Sequence, residues 1–264
     1  MYPHGAPHYQ GFKLSTCGRA VFGHYRPQRR CKSTLCKLML GIWPAVAGKV
    51  RIDGADIASW DMEALGRFIG YMPQDVELFS GSIAENIARM GEVESDKVIM
   101  AAKLAGVHNL ILQLPKGYDT YIGDQGLVLS GGQRQRIGLA RALYGFPRIV
   151  ILDEPNSNLD EQGEYCLLQA LLNLKKMNST VVLVTHKPAV LSIVDNIMVM
   201  QDGMVVMSGP RQEVLDKLRE AQQQQARQQQ QQQQARQQLA QSTAKPATAE
   251  NKSGDTPEKD TTHE

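Results

Sequence analysis

Leu129–Asp160 reads LSGGQRQRIGLARALYGFPRIVILDEPNSNLD, and its two halves decide the fold. The first half is a helix opened by Ser130, Gly131 and Gly132. Its free N–H groups and the positive end of its dipole face outward together, which makes an anion site that glycines leave open to a phosphate. Ser-Gly-Gly alone is equally an ordinary serine-capped helix start. The second half is a continuous apolar strand closed by Pro155, delivering Asp153 and Glu154 to its carboxyl end, where α/β sheets bind ligands. Asp153 suits Mg²⁺, which prefers few carboxylates and retained waters. Glu154 can polarise a water for attack on phosphorus. An isolated acidic pair would be no more than a solvated turn after a strand.

Outward from this stretch, strands and helices alternate. KSTLCKLMLGI has helical spacing and stops at Gly41, GKVRIDGADI is a strand with a turn at Asp53-Gly54, and RFIGYMPQ is a strand closed by Pro73. A helical stretch is expected from about Ile83 to Leu114. Beyond Pro155 come a helix around Tyr165–Leu174, the strand TVVLVTH ending at His186, and a hairpin in NIMVMQDGMVVMSG turning at Asp202-Gly203. This alternation predicts a mostly parallel sheet with helices on its faces.

Composition narrows the class. Hydrophobic residues at 42% suffice for a sizeable core, and a net charge of +2 argues against a nucleic-acid binder and against an acidic tail protein. Apolar runs are strand-sized, so neither a membrane span nor a secretory signal is read, and a soluble chain is expected. The 4 cysteines, Cys17, Cys31, Cys36 and Cys166, lack metal-ligand spacing and are expected to be reduced thiols. Three zones are expected: an irregular stub over 1–31, an α/β domain over 32–220 and a Gln-rich tail over 221–264 that is disordered or at most a frayed helix, since Ala, Gln and Arg favour helix but leave almost no apolar stripe to bury.

These motifs, in order and spacing from Lys32 to about Gly209, resemble the nucleotide-binding domain of ATP-binding cassette (ABC) transporters. LSGGQ is similar to the family signature, IVILDE to its Walker B strand, SNLD at Ser157–Asp160 to its D-loop, Gln74 to its Q-loop and His186 to its switch histidine. LFSGSIAENI (Leu78–Ile87) and YIGDQGLVLSGGQRQR (Tyr121–Arg136) resemble the exporter branch. STLCKLMLGIWPAVAGKVRIDGADIASWD resembles bacterial type I secretion ATPases that export proteases or lipases.

The resemblance implies an α/β, P-loop NTPase-like ABC ATPase fold with a helical signature subdomain at about 80–140. It implies ATP and Mg²⁺ as cofactors, and a head-to-tail dimer with a second ABC nucleotide-binding domain. Lys32, Ser33 and Thr34 would take the phosphates, and Ser33, Asp153 and Gln74 the Mg²⁺. Glu154 would be the general base, His186 a γ-phosphate contact, and Gln74 a sensor of the attacking water. Ser130, Gly131, Gly132 and Gln133 would serve the opposite chain's ATP, and Asp160 would couple the two sites. A transmembrane exporter domain, a periplasmic adaptor and an outer-membrane channel are the implied partners. The implied location is the cytoplasmic face of the bacterial inner membrane. The branch usually carries a membrane domain ahead of the ATPase in one chain; its absence from these residues is read as a gene disrupted and restarted downstream.

One segment departs from the pattern. HYRPQRRCKSTL (His24–Leu35) ends as a phosphate loop ends, yet against G-x-x-x-x-G-K-[ST] the glycine positions hold Arg26 and Cys31. A loop that wraps phosphate needs conformations glycine adopts freely, and no side chain filling the cradle. The upstream STCGRAVFGHY is not the apolar strand expected to deliver it. A compensated frameshift over about 15–31 accounts for both faults. Encoded GGG CAT TAT CGG, Gly23–Arg26 reads one base forward as Gly-Ile-Ile-Gly, and continuing through Arg30 yields GIIGPSGAGKST. His24 and Tyr25 can become only Ile or Thr in that frame, whatever their codons. The rival reading is a non-catalytic ABC module acting through its interfaces alone.

Overall fold

Val150, Ile151 and Leu152 are buried without exception, so their strand has no solvent face, as in a parallel sheet covered by helices. The computed structural model describes residues 21–25, 32–123, 129–185, 187–201 and 203–243. Its strands are β1 (Val21–Tyr25), β2 (Arg51–Ile52), β3 (Ala55–Asp56), β4 (Ile69–Met72), β5 (Gly81–Ser82), β6 (Tyr121–Ile122), β7 (Ile149–Asp153), β8 (Thr180–Val184), β9 (Asn196–Gln201) and β10 (Met204–Pro210). Its helices are α1 (Lys32–Met39), α2 (Met62–Gly66), α3 (Ile83–Ile87), α4 (Ser95–Leu104), α5 (His108–Leu112), α6 (Gly131–Leu143), α7 (Glu161–Lys176), α8 (Pro188–Leu191) and α9 (Arg211–Thr243).

A 6-stranded sheet runs in the order β10-β9-β1-β8-β7-β4. All its strands are parallel except β10, which returns antiparallel on β9. The register sets Ile151 opposite Val182 on one side and Tyr71 on the other. Cys36 and Leu40 of α1 pack with Ile57, Leu65, Ile69, Ile151, Val182 and Val184. α7 buries Leu167, Ala170, Leu171 and Leu174, the stripe an amphipathic helix needs. The β2–β3 hairpin turns where the sequence says, with Asp53 and Gly54 at φ 51° and 84°, both left-handed as a type I′ turn requires.

Three expectations are corrected. Residues 21–25 are not part of an irregular stub but form β1, the strand between β8 and β9. The physical reason is backbone demand: two parallel strands present unpaired N–H and C=O groups to the gap, and any extended segment can satisfy them. The Gln-rich segment is helical rather than disordered as far as Thr243, because Arg211–Thr243 holds no Gly or Pro and is rich in strong helix formers. The stretch from Ile83 to Leu114 is three helices, because Arg89 and Met90 (φ 60° and 59°) and Gly106 (φ 67°) take left-handed conformations.

Arg89 explains why that break is tolerated. Its Nη1 donates to the carbonyls of Gly66 (2.7 Å) and Ile69 (3.2 Å), its Nε to that of Arg141 (3.1 Å), and its Nη2 to those of Ala142 (3.3 Å) and Tyr144 (3.2 Å). One guanidinium thus caps the end of α6 and ties it to the turn between α2 and β4. Desolvation by burial lowers the pKa of this group from its ordinary value. Arg89→Met should destabilise the domain by about 3 kcal/mol in urea unfolding, since it strands carbonyls that a charged donor served. Arg89→Lys should recover little, because an ammonium lacks the planar fork. A loss below about 1 kcal/mol in the Met variant would mean that water replaces the guanidinium.

Candidate functional site

Parallel order puts the carboxyl ends of β1, β8, β7 and β4 on one edge of the sheet, and the sequence-predicted residues follow those ends. β1 leads toward α1, which begins at Lys32; β4 is followed by Pro73 and Gln74; β7 ends at Asp153; β8 is followed by Thr185. The α/β reading and its mostly parallel sheet hold.

The central contact is Ser33 Oγ donating to Asp153 Oδ2 at 2.6 Å, which joins the first turn of α1 to the end of β7. Asp153 is fully buried, and its charge is felt around it. Burial first, then the Asp153 carboxylate, push the Cys36 thiol well above its usual range. Burial, then Cys36 and Asp153, do the same to the Tyr71 phenol. Both therefore stay neutral beside the carboxylate. Among the described residues no group of three or more His, Cys, Asp or Glu side chains gathers. A hydroxyl and one carboxylate, both hard oxygen donors, fit Mg²⁺ with retained waters and do not fit a zinc cage.

Glu154 is the next residue and has φ 48°, left-handed for a non-glycine. Its N–H donates to Val184 of β8 at 2.8 Å, and its carbonyl accepts from Ser157 N–H at 3.2 Å, so the turn after β7 is tied to the end of β8. A second set of bonds reinforces this junction. Thr185 Oγ1 donates to Asn156 Oδ1 (3.3 Å), while Lys187 Nζ donates to the Asn156 carbonyl (3.0 Å) and pairs with the Glu164 carboxylate.

The signature segment caps itself. Gln133 N–H donates to Ser130 Oγ at 3.2 Å, and Ser130 N–H donates to Gln133 Oε1 at 2.8 Å, a reciprocal capping box. Gly131 and Gly132 face Asn158; a Cβ on Gly132 would meet the Asn158 carbonyl at 2.9 Å. A cleft of about 200 Å³ is lined by Gln74, Asp75, Val76, Gly131, Arg134, Gln135 and Asn158. It lies where the strand-end glutamine, the signature helix and the SNLD turn converge. Asp160 caps α7, accepting from Gly163 N–H at 2.8 Å.

The structure thus joins Ser33 with Asp153 and, in a separate cluster, gathers Gln74 with Gly131. The side chain of Lys32, all of 26–31 and His186 lie outside the described residues. For Thr34 nothing beyond its place in the first turn of α1 bears on the site. Sequence reasoning passed over Gln135, Asn156, Asn158 and Lys187. Gln135 had one available signal: it lies four residues after Gly131, on the same helical face.

Residues 31–157 match the family model described as ABC transporter. The chain is similar to the type I secretion system ATP-binding protein PrsD of Rhizobium meliloti (strain 1021). It is 50% identical to that protein over 207 residues, covering 78% of this chain and 35% of the relative. It is 44% identical over 209 residues to the leukotoxin translocation ATP-binding protein LktB of Mannheimia haemolytica, covering 78% of this chain and 28% of that protein. A solved bacterial Atm1-family ABC exporter with ATP bound superposes with a TM-score of 0.75 at 30% identity, over 82% of this chain and 38% of the exporter chain. The chain spans about a third of the length of these curated relatives.

Close packing of α6 on the segment after Gln74 can be tested at Gly138, where an added Cβ would lie 2.6 Å from Val76 Cγ1. Helix propensity favours alanine there by up to about 1 kcal/mol, but overpacking costs about 1–3 kcal/mol. Gly138→Ala should therefore lower stability in denaturant unfolding. In a Val76→Ala background the same change should raise it, and absence of that sign reversal would refute the contact.

Proposed function

The chain carries an ABC transporter nucleotide-binding domain, and from that premise we propose that it is the ATP-hydrolysing part of a type I protein exporter, with a phosphate loop degraded in the sequence as written. The observation that carries this is the 2.6 Å bond from Ser33 to Asp153. It joins the start of α1, where phosphate would be held, to the acidic strand end.

Under this reading Lys32, Ser33 and Thr34 face the phosphates and Ser33 and Asp153 hold Mg²⁺, while Gln74, which lines the cleft beside Gly131, would have to reach across to that ion to join them. The ion, when bound, neutralises charge on the phosphate oxygens. Glu154 orients and deprotonates the attacking water, and His186 meets the γ-phosphate. Ser130, Gly131, Gly132 and Gln133 serve the ATP of a second copy docked head to tail, and Asp160 couples the two sites. Making that contact requires the Ser130–Gln133 box to open or to present its outer face.

Docking to a membrane partner has support in the helical region. Phe79, Met90 and Tyr121 are exposed around β5 and α3, an apolar set that an exporter's transmembrane domain could cover. The same patch favours the second reading, a module working through interfaces alone. Among the described residues no helix is long and apolar enough to cross a membrane. Peripheral attachment at the cytoplasmic face of an inner membrane, with adaptor and outer-membrane channel beyond, extends the proposal by similarity to the secretion proteins.

The frameshift reading draws support from β1. Position 24 pairs with Val184 and Met198, and position 25 with Val199, a slot between apolar strands in which His and Tyr are foreign and Ile-Ile would be ordinary. Two full-length chains test the proposal: the sequence as written, and one with residues 23–31 replaced by GIIGPSGAG. The restored chain should hydrolyse ATP with Mg²⁺ and lose turnover in Glu154→Gln by about 100-fold or more. The chain as written should bind ATP at least about tenfold more weakly, because non-glycine residues in the cradle cost about 1–3 kcal/mol each. Equal Mg²⁺-dependent turnover by both would sink the degraded-loop reading. No turnover in the restored chain would sink the ATPase reading and favour the interface module.

A further inference from the structure

Gln135 lies on α6 with 2% of its surface exposed, and all its polar contacts reach the turn that follows β7. Its Nε2 donates to the Glu154 carbonyl at 3.2 Å and to Ser157 Oγ at 3.0 Å, and its Oε1 accepts from Asn158 N–H at 2.9 Å. An amide side chain offers two N–H donors and a carbonyl acceptor. Here both donors and the acceptor are engaged, and the Asn158 N–H, which can only donate, fixes which way round the amide lies.

One of the residues it holds, Glu154, is under conformational strain. A non-glycine residue at φ 48°, as Glu154 is, persists only where its surroundings over-determine it. For Glu154 those surroundings are β8, through Val184, and α6, through Gln135. The carboxylate's position follows from that backbone. On its other side the turn touches the signature segment, since the Asn158 carbonyl fills the space a Gly132 side chain would need. Gln135 therefore lies between the acidic strand end and the Ser130–Gln133 segment, bonded to the first and carried on the same helix as the second.

We infer that Gln135 is a positioning residue that ties the Glu154 backbone and the 157–158 turn to the middle of the signature helix, so that the backbone carrying the carboxylate is held from α6 as well as from β8. Its catalytic consequence rests on the nucleotide reading above; the lock itself does not. No other side chain substitutes fully. Methionine keeps the length and loses all three bonds. Glutamate has no N–H donors for the Glu154 carbonyl and Ser157, yet keeps an acceptor for the Asn158 N–H.

Amide hydrogen exchange on the full chain as written reads the lock without nucleotide. In Gln135→Met the Asn158 amide should exchange at least about tenfold faster, the loss of one net hydrogen bond. In Gln135→Glu it should stay slow. The amides of Ile151 and Leu183 in the neighbouring strands should be unchanged in both. Unaltered exchange at Asn158 in the Met variant would overturn the inference. So would acceleration at Ile151 and Leu183 to the same degree, which marks a residue that merely fills space.

The chain with residues 23–31 restored supplies the second readout. Both variants should lower kcat, by up to about 100-fold for a base displaced by an ångström, with the KM for ATP held within about twofold, the mark of an interaction spent on the transition state. A raised KM with kcat preserved would overturn the positioning role. Should the restored chain show no turnover before Gln135 is changed, the ATPase reading fails, and the exchange result alone decides the lock.

Discussion

The buried carboxylate of Asp153 is the constraint from which the site's geometry follows. An ionised group taken out of water must be compensated by hydrogen bonds or charge, or it does not remain ionised. Ser33 supplies a short hydroxyl bond, and that ties the first turn of α1 to the end of β7. The Cys36 thiol and the Tyr71 phenol beside it, protonated at neutral pH in any setting, are pushed further from ionisation by burial first and by the nearby carboxylate. The acidic groups at this strand end are therefore Asp153 and the adjacent Glu154, a pair rather than a larger cluster of acids among the described residues. Because β7 sits between β8 and β4, fixing its end fixes the neighbouring strand ends as well.

Around that fixed edge the helical region is attached by side chains that reach backbone across long sequence distances. Arg89 gathers carbonyls from α6 and from the β4 approach, and Arg141 reaches back to the Glu77 and Asn86 carbonyls at 2.9 and 3.1 Å. Glycines let the backbones come close enough: a Cβ at Gly70 would sit 2.0 Å from the Ala142 carbonyl. The outcome is a joint in which the segment after Gln74 touches both the sheet and α6. Movement of either would be felt at the other, because the contacts are to backbone and admit few intermediate positions.

How much of this could be read in the chain depends on the range of the interaction. β7, α6, and the β2–β3 hairpin are set by local pattern: an apolar run, a capped helix start, and an Asp-Gly turn. Each formed where the pattern put it. Gln135, Lys187 and Arg89 are written in ordinary polar letters, and their roles appear only when elements distant in sequence meet. β1 failed to be legible for another reason. Val21, Phe22 and Tyr25 are strand formers, but Gly23 and His24 interrupt the apolar run that marks a buried strand, and the strand exists because β8 and β9 leave a gap whose backbone groups require pairing. The Gln-rich segment offers almost no apolar stripe, which points to disorder or a frayed helix, whereas propensity without Gly or Pro suffices for a continuous helix to Thr243.

That difference between strand and loop bears on what the chain can still do. A sheet asks of its central strand chiefly an extended backbone, and residues 21–25 meet that demand whatever their side chains. The pairing of β1 with both neighbours accordingly persists with Gly23, His24 and Tyr25 in it. A phosphate cradle asks for more, since its N–H groups must converge through conformations that cost most residues about 1–3 kcal/mol, with no side chain in the space the phosphate takes. Arg26 and Cys31 stand where those glycines belong. The strand pairing is therefore compatible with the altered segment, whereas under the proposed nucleotide reading a phosphate loop would not be. Ser33 and Asp153 are held together by the sheet and α1 whatever residues 26–31 contribute, so the proposal separates the frame of the site, which the fold supplies, from the cradle, which the loop sequence would have to supply.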